Sequence, residues 1–420
     1  MKTYVNYHKH TFYSNIMTPD CTVSVEQYLN RIQELGYGVY STVEHGYGGE
    51  TFETYLKVEK FNKKREKKGL PPIKIIFGME LYWVQDRHKK DKSNCHIVVL
   101  ARNNNGRKAL NKIMSRGNID GYYYKPRVDL ELLMSLPPND VMITTACIAF
   151  NRYEDIDDII LMLNDRFPHF YLEVQAHNVE IQKKWNQHLL DLSYEHDLKI
   201  IAGVDSHMIY ESQEIERDEY LKSKNMIYEE EDGFYLDYPD YETLYDRFKT
   251  QGILSDEEIT LALENTNKIL EFEDIKLDKS MKLPNIYKTL TQEERNQKLH
   301  DIVFENWRKE KINVPKNKWS YYEKQINYEL SEIFGCGMAD YFLFNEKTID
   351  LGINKYGGVL THSGRGSAVS FYINKLLGFT NVDRIASKIT MYPERFMTKD
   401  RILKSHTPPD IDFNVSDREP

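Results

Sequence analysis

Lys199-Ile-Ile-Ala-Gly-Val-Asp205-Ser-His207 begins as an apolar, β-branched run and ends on two ligand-type side chains spaced by two residues. Tyr4-Val-Asn-Tyr-His8-Lys-His10 repeats the design at the other end of the region, reading as a strand that closes on two histidines. Strand side chains alternate faces, so residues i and i+2 project together. Between these two stretches the sequence predicts further strands at 38–43, 74–83, 96–101, 141–146 and 170–175. Helix-period stretches at 24–35, 51–68, 107–115, 156–164 and 179–196 separate them. Alternation of strand and helix predicts an α/β fold with mostly parallel strands. Pattern alone leaves an open doubly wound sheet and a closed barrel as equals.

Other strand ends carry further candidates. His45 follows the second strand, Glu80 closes Ile75-Ile-Phe-Gly-Met-Glu80, His96 opens the next run, Cys147 follows Val141-Met-Ile-Thr-Thr-Ala146, and Asp20 lies in the loop after the first strand. Taken singly, each of these histidines reads as a core or surface residue, and Cys147 as a small buried hydrophobe. In strand register they read as a set, because barrel enzymes place their chemistry beyond the strand ends. Imidazole, carboxylate and thiolate together suit transition metals rather than calcium or magnesium. Nine candidates exceed one tetrahedral ion and suffice for two or three, which is the equipment of metal-assisted phosphoester hydrolysis.

Composition sets limits around this site. A chain of 420 residues is expected to form two or three domains, and 40% hydrophobic with 29% charged residues is the balance of a folded protein. No apolar run approaches a membrane span and the first residues lack a signal-peptide core, so membrane insertion and secretion are not expected. Cys21, Cys95, Cys147 and Cys336 form no CxxC pair, which fits a reducing cytoplasm. Of the net charge of −9, a surplus of 11 acidic charges sits in residues 211–270, with 17 Asp and Glu against 6 Lys and Arg. No region is basic enough to predict nucleic-acid binding from charge alone. The basic clusters 63–68 and 87–92 read as solvated surface.

A second constellation lies near the end of the chain. Ser363-Gly364-Arg365-Gly366-Ser367 is a glycine-rich turn leading into an apolar segment, an arrangement that suits a phosphate and equally suits a tight turn into a buried helix. Pro409-Asp410-Ile-Asp412-Phe413 would, in a strand, aim two carboxylates from one face at shared divalent cations.

His8-Lys-His10, Glu44-His45-Gly46, Gly78-Met-Glu80, His96, Thr145-Ala-Cys147 and Val204-Asp-Ser-His207 resemble the successive motifs of the PHP (polymerase and histidinol phosphatase) superfamily. That resemblance implies a distorted (β/α)7 barrel with two or three divalent ions (Zn, Mn or Fe) and phosphoesterase activity. Its ligands would be His8, His10, Asp20, His45, Glu80, His96, Cys147, Asp205 and His207. Glu44 stands where the family usually has aspartate, and Asp20 follows His10 by ten residues where many members have seven.

The series Asp340-Tyr-Phe-Leu-Phe, Ser363-Gly-Arg-Gly-Ser, Leu376 to Asp383, Pro393-Glu-Arg-Phe and Pro409-Asp-Ile-Asp-Phe resembles the family C replicative DNA polymerases, the family of the bacterial DNA polymerase III α subunit. It implies a PHP barrel over 1–210, an acidic helical extension over 211–280, and the beginning of an α+β polymerase palm over 281–420. Asp410 and Asp412 would be two of three catalytic carboxylates holding Mg. Gly364, Arg365, Gly366, Ser367 and Arg395 would line the incoming nucleotide.

The family's third carboxylate, thumb and fingers lie beyond the motifs present, so this chain alone is not expected to synthesise DNA. The implied partners are a DNA primer–template, a dNTP, and either a complementary C-terminal polymerase chain or other replisome proteins, in the cytoplasm. The barrel would act as a proofreading 3′–5′ exonuclease or a pyrophosphatase. A stand-alone small-molecule phosphoesterase and a non-catalytic scaffold half of a split polymerase are the competing expectations.

Overall fold

The computed structural model of the chain describes residues 2–228, 233–280, 282–361, 365–412 and 414–416. The chain divides into two units, Met1–Leu277 and Asp278–Pro420.

The first unit is built on one curled sheet. Its strands are β1 (Val39–Thr42), β2 (Lys74–Trp83), β3 (Cys95–Ala101), β4 (Arg127–Val128), β5 (Val141–Thr144), β6 (Phe170–Gln175) and β7 (Ile200–Gly203), ordered β1-β2-β3-β5-β6-β7 with β4 beside β2. Most pairs are parallel, as the sequence predicts, but β3 runs antiparallel to both β2 and β5. The physical reason lies in residues 84–94, which carry no helix and so cannot make the long crossover that a parallel partner needs.

Residues 4–10 depart from expectation too. They form only an isolated bridge, Lys9 with Ser206, instead of a regular strand. Side chains satisfy the backbone here: Val5 N–H donates to Thr266 Oγ1, and the Asn6 carbonyl accepts from Lys9 Nζ. Val43 N–H still donates to the Lys9 carbonyl (3.1 Å) and His10 N–H to the Ser206 carbonyl (2.9 Å). The segment therefore spans the gap between β1 and the end of β7 and completes a distorted barrel.

Helices α1 (Val25–Glu34), α2 (Thr51–Glu66), α3 (Asn104–Ile119), α4 (Leu130–Met134), α5 (Ile156–Arg166) and α6 (Glu180–His196) connect the strands. Local chemistry sets their ends. Ser24 and Gln27 form a capping box at α1, and Gly69, at φ +69°, ends the turn after α2 in a conformation that suits glycine. The acidic region supplies α7 (Glu214–Ser223), α8 (Tyr241–Gln251) and α9 (Asp256–Thr266), which cluster with the barrel. Ile259, Ala262 and Leu263 of α9 are buried in the barrel's main core.

The second unit packs α10 (Gln292–Glu310), α11 (Trp319–Gly335), α12 (Ala339–Asp350), α13 (Tyr372–Leu376) and α14 (Lys399–Ser405) with a two-stranded sheet, β8 (Val359–Thr361) against β9 (Asn414–Ser416). Trp307 stacks on Tyr322 with ring centroids 5.4 Å apart at the centre of its core. Among the described residues Asp410 and Asp412 are assigned to no strand, so the one-face arrangement that a strand would give them is not seen. Among the described residues no helix is long and apolar enough to cross a membrane.

Candidate metal centre

One mouth of the barrel gathers all nine side chains singled out in the first unit. His8 and His10 come from the bridging segment, His45 from the turn after β1, Cys147 from the turn after β5, and Asp205 and His207 from beyond β7. Glu80 lies within β2, which continues to Trp83, and its bridge to His45 sets its place. His96 belongs to the first turn of β3. Because β3 is antiparallel, its beginning faces the same mouth as the ends of its parallel neighbours.

The contacts form one network. Glu80 is central: Oε1 lies 3.3 Å from His8 Nε2 and 3.0 Å from His96 Nδ1, while Oε2 meets His45 Nδ1. Asp205 Oδ1 is 3.3 Å from His8 Nε2 and 3.1 Å from His10 Nε2. Asp20 Oδ2 lies 2.7 Å from His45 Nε2 and also touches His207 Nε2. Cys147 Sγ approaches His96 Nδ1 at 3.5 Å. The His10 ring sits between those of His45 and His207, with centroids 4.0 and 4.6 Å away.

Many of these atoms are buried without a properly directed hydrogen bond: His8 Nε2, His10 Nε2, His45 Nδ1, His207 Nε2, both Glu80 oxygens and Asp205 Oδ1. Buried polar groups normally find partners, and lone pairs converging on common points are what a cation satisfies. Three groups hold their ligand atoms within 4.8 Å of one another: His10 with His45 and His207, His8 with His10 and Glu80, and His45 with Glu80 and His96. The donor set fits divalent transition metals.

The electrostatics agree. Burial disfavours charge on His8 and His45, yet neighbouring carboxylates, Glu173 and Asp205 for the first and Glu80 for the second, raise both well above the ordinary imidazole range. Burial likewise works against ionised Glu80 and Asp20, but the facing histidines hold both well below the carboxylate range. His10, desolvated and flanked by His45, drops to about 3 and offers a neutral ring. A cation bound among these groups would compete with the protons on His8 and His45.

Three contributors escape the sequence reading. Glu173, fully buried in β6, takes His8 Nδ1 at 2.6 Å and also accepts from Tyr7, Thr144 and Gln175. His177 stacks on Phe234, with centroids 4.3 Å apart, and accepts from Tyr235 N–H. Arg217 of α7 holds Asp20. A strand-face pattern gives no signal for a buried acid that binds a ligand's far nitrogen, nor for an arginine two hundred residues from its partner.

The mouth opens into a cleft of about 250 Å³, lined by Tyr82, Lys125, Tyr228 and Phe234 beside the ligand candidates. In the second unit the glycine-rich turn meets the aspartate pair. Arg365 Nε lies 3.8 Å from Asp412 Oδ2, and a Cβ on Gly366 (φ +67°) would come within 2.7 Å of that oxygen. Ser367 precedes a short 3-10 turn, Ala368–Ser370. Asp410 and Arg395 are exposed, and no hydrogen bond or ion pair joins them among the described residues. Gly364 and Phe413 lie outside the described residues.

Comparison with known proteins finds one family match within each unit. Residues 6–177 match the PHP domain family, and residues 289–419 match the bacterial DNA polymerase III alpha NTPase domain. The chain therefore carries a PHP domain followed by a DNA polymerase III alpha NTPase domain. Over its whole length it is homologous to proteins named DNA polymerase III subunit alpha. The relative from Aquifex aeolicus is 26% identical across 100% of this chain, and that from Borreliella burgdorferi 26% across 99%. The chain spans 37% and 36% of their lengths.

Proposed function

We propose that the barrel is a metal-dependent phosphoesterase that trims the 3′ end of DNA in a family C replicative polymerase. The observation that carries this reading is the convergence of orphaned nitrogen and oxygen atoms from His8, His10, His45, Glu80, Asp205 and His207 at one buried mouth. His96 and Cys147 would complete the ligand set on the β3–β5 side, and Asp20 on the α7 side. Two or three bound divalent cations would supply a hydroxide nucleophile and neutralise charge on the phosphate oxygens. The protein's own part is to hold the imidazoles oriented, with Glu173 fixing His8 and Ser14 meeting His10 Nδ1 at 3.1 Å. Lys125, at the lip of the cleft, would meet a phosphate oxygen.

Asp410 and Asp412 would hold Mg as part of a palm that further polymerase segments complete. Gly364, Arg365, Gly366, Ser367 and Arg395 would face the dNTP. The approach of Arg365 and Gly366 to Asp412 supports that assignment.

Incubation of the chain with 5′-labelled single-stranded DNA and Mn²⁺ tests the barrel. Stepwise shortening that His10→Ala abolishes is the expected result. No shortening by the wild type, or equal shortening by His10→Ala, rejects the exonuclease reading; release of phosphate from pyrophosphate alone would make the site a pyrophosphatase.

A further inference from the structure

Beside the cleft stands a ridge that the proposed chemistry leaves unused. Tyr122 and Tyr124 are 59% and 64% exposed, on the loop that delivers Lys125 to the cleft. Tyr124 has φ +60°, a left-handed conformation that a bulky side chain rarely adopts. Lys92 Nζ lies 4.1 Å from the Tyr124 ring centroid, and Lys125 Nζ lies 4.2 Å from that of Tyr82 in the cleft wall. Lys89 and Lys90 are exposed on the same basic run as Lys92.

Arg127 makes the ridge rigid. Its buried guanidinium donates to the carbonyls of Gly121, Lys89, Asp91 and Arg87, tying the tyrosine loop to the basic loop. Of the nearby acids, Asp129 and Glu131 bind Arg87, Asp120 binds Arg116, Asp86 faces Lys89, and the exposed Asp91 accepts from Ser93 N–H. The result is two exposed tyrosine rings with Lys92 and Lys125 beside them, in a chain whose net charge is −9.

We infer that Tyr122, Tyr124, Lys92 and Lys125 form a stacking platform for single-stranded nucleic acid, leading its 3′ end into the barrel mouth. Bases stack on exposed aromatic rings whatever their sequence, and lysines between the rings meet the backbone phosphates. The platform gives the proposed phosphoesterase a surface that holds the strand outside the mouth, and in that sense it rests on that reading.

Binding of fluorescein-labelled oligodeoxythymidylate to the full chain in EDTA, followed by anisotropy, tests the platform apart from hydrolysis. Tyr124→Ala should weaken binding about fivefold or more, the double variant with Tyr122→Ala more strongly, and Tyr124→Phe hardly at all. Lys92→Glu should flatten the salt dependence of binding. Circular dichroism and Mn²⁺ stoichiometry at wild-type values would show that the variants are folded. Oligonucleotide affinity unchanged in the double variant, or no binding by the wild type, overturns the platform. If the variants lose binding while the wild type shortens no DNA, the platform stands and the phosphoesterase reading falls.

Discussion

Arg217 and Asp20 are joined twice: the guanidinium donates to the Asp20 backbone carbonyl at 2.8 Å through Nε and to its carboxylate Oδ1 through Nη2. Both side chains are buried, and Oδ1 is thereby committed, leaving Oδ2 to face His45 and His207. The acidic extension thus holds a ligand candidate of the mouth through Arg217.

Arg217→Met should release Asp20 to rotate, and the affinity for Mn²⁺ should fall about tenfold or more, as when a partner that orients a ligand is lost. Arg217→Lys, which restores the charge but not the fork, should recover only part of it. Titration calorimetry decides: an unchanged dissociation constant in Arg217→Met would show that the pairing does not orient Asp20.

Glu173 should behave similarly from the opposite side. Glu173→Ala leaves His8 Nδ1, Tyr7 and Thr144 without their acceptor, at a cost of roughly 2–4 kcal/mol in chemical denaturation. Gly203→Ala should mimic it, because its Cβ would fall 2.0 Å from Glu173 Oε1. Metal content near wild type in both variants would argue against a positioning role.

Glu50 should give the first unit a pH-sensitive stability. Burial, reinforced by the Glu44 carboxylate, pushes it up to about 8. The folded state therefore holds a proton that the unfolded chain gives up near an ordinary carboxyl value of about 4.3. Stability from this proton is complete below the unfolded value and is lost as pH rises through about 8. Glu50→Gln should remove most of that slope, worth up to roughly 3–4 kcal/mol between about pH 5 and about pH 9. Urea midpoints for the two proteins at both ends of the range measure it; parallel slopes would sink the claim.

In the second unit, Glu329 is a fully buried carboxylate that accepts from Tyr372 N–H at 2.9 Å, Ile373 N–H at 2.8 Å and Arg384 Nε at 2.6 Å. Glu329→Ala strands the Arg384 charge and should cost about 3–5 kcal/mol. Fluorescence of Trp307, whose ring lies in the same core, should report the loss as a lower denaturant midpoint. A midpoint within error of wild type would contradict it.

Residue type and spacing were enough to single out the side chains that meet at the mouth. A spacing of two made His8 with His10 and Asp205 with His207 legible as pairs, although residues 4–10 form only an isolated bridge and Asp205 stands at φ +55°, and the placing of His45, Glu80, His96 and Cys147 near strand boundaries followed from the strand pattern. Helix boundaries were legible where short-range chemistry governs them, as at the Ser24 capping box. The direction of β3 and the irregular course of residues 4–10 came from tertiary contacts alone. Tertiary contacts also revealed Glu173, His177 and Arg217, and tied the basic run 87–92 to the tyrosine loop through Arg127. Periodicity is a local property that a few neighbouring residues can encode. Which buried acid satisfies a histidine's second nitrogen, and which arginine fills the space behind Asp20, depend on contacts between residues up to 197 positions apart.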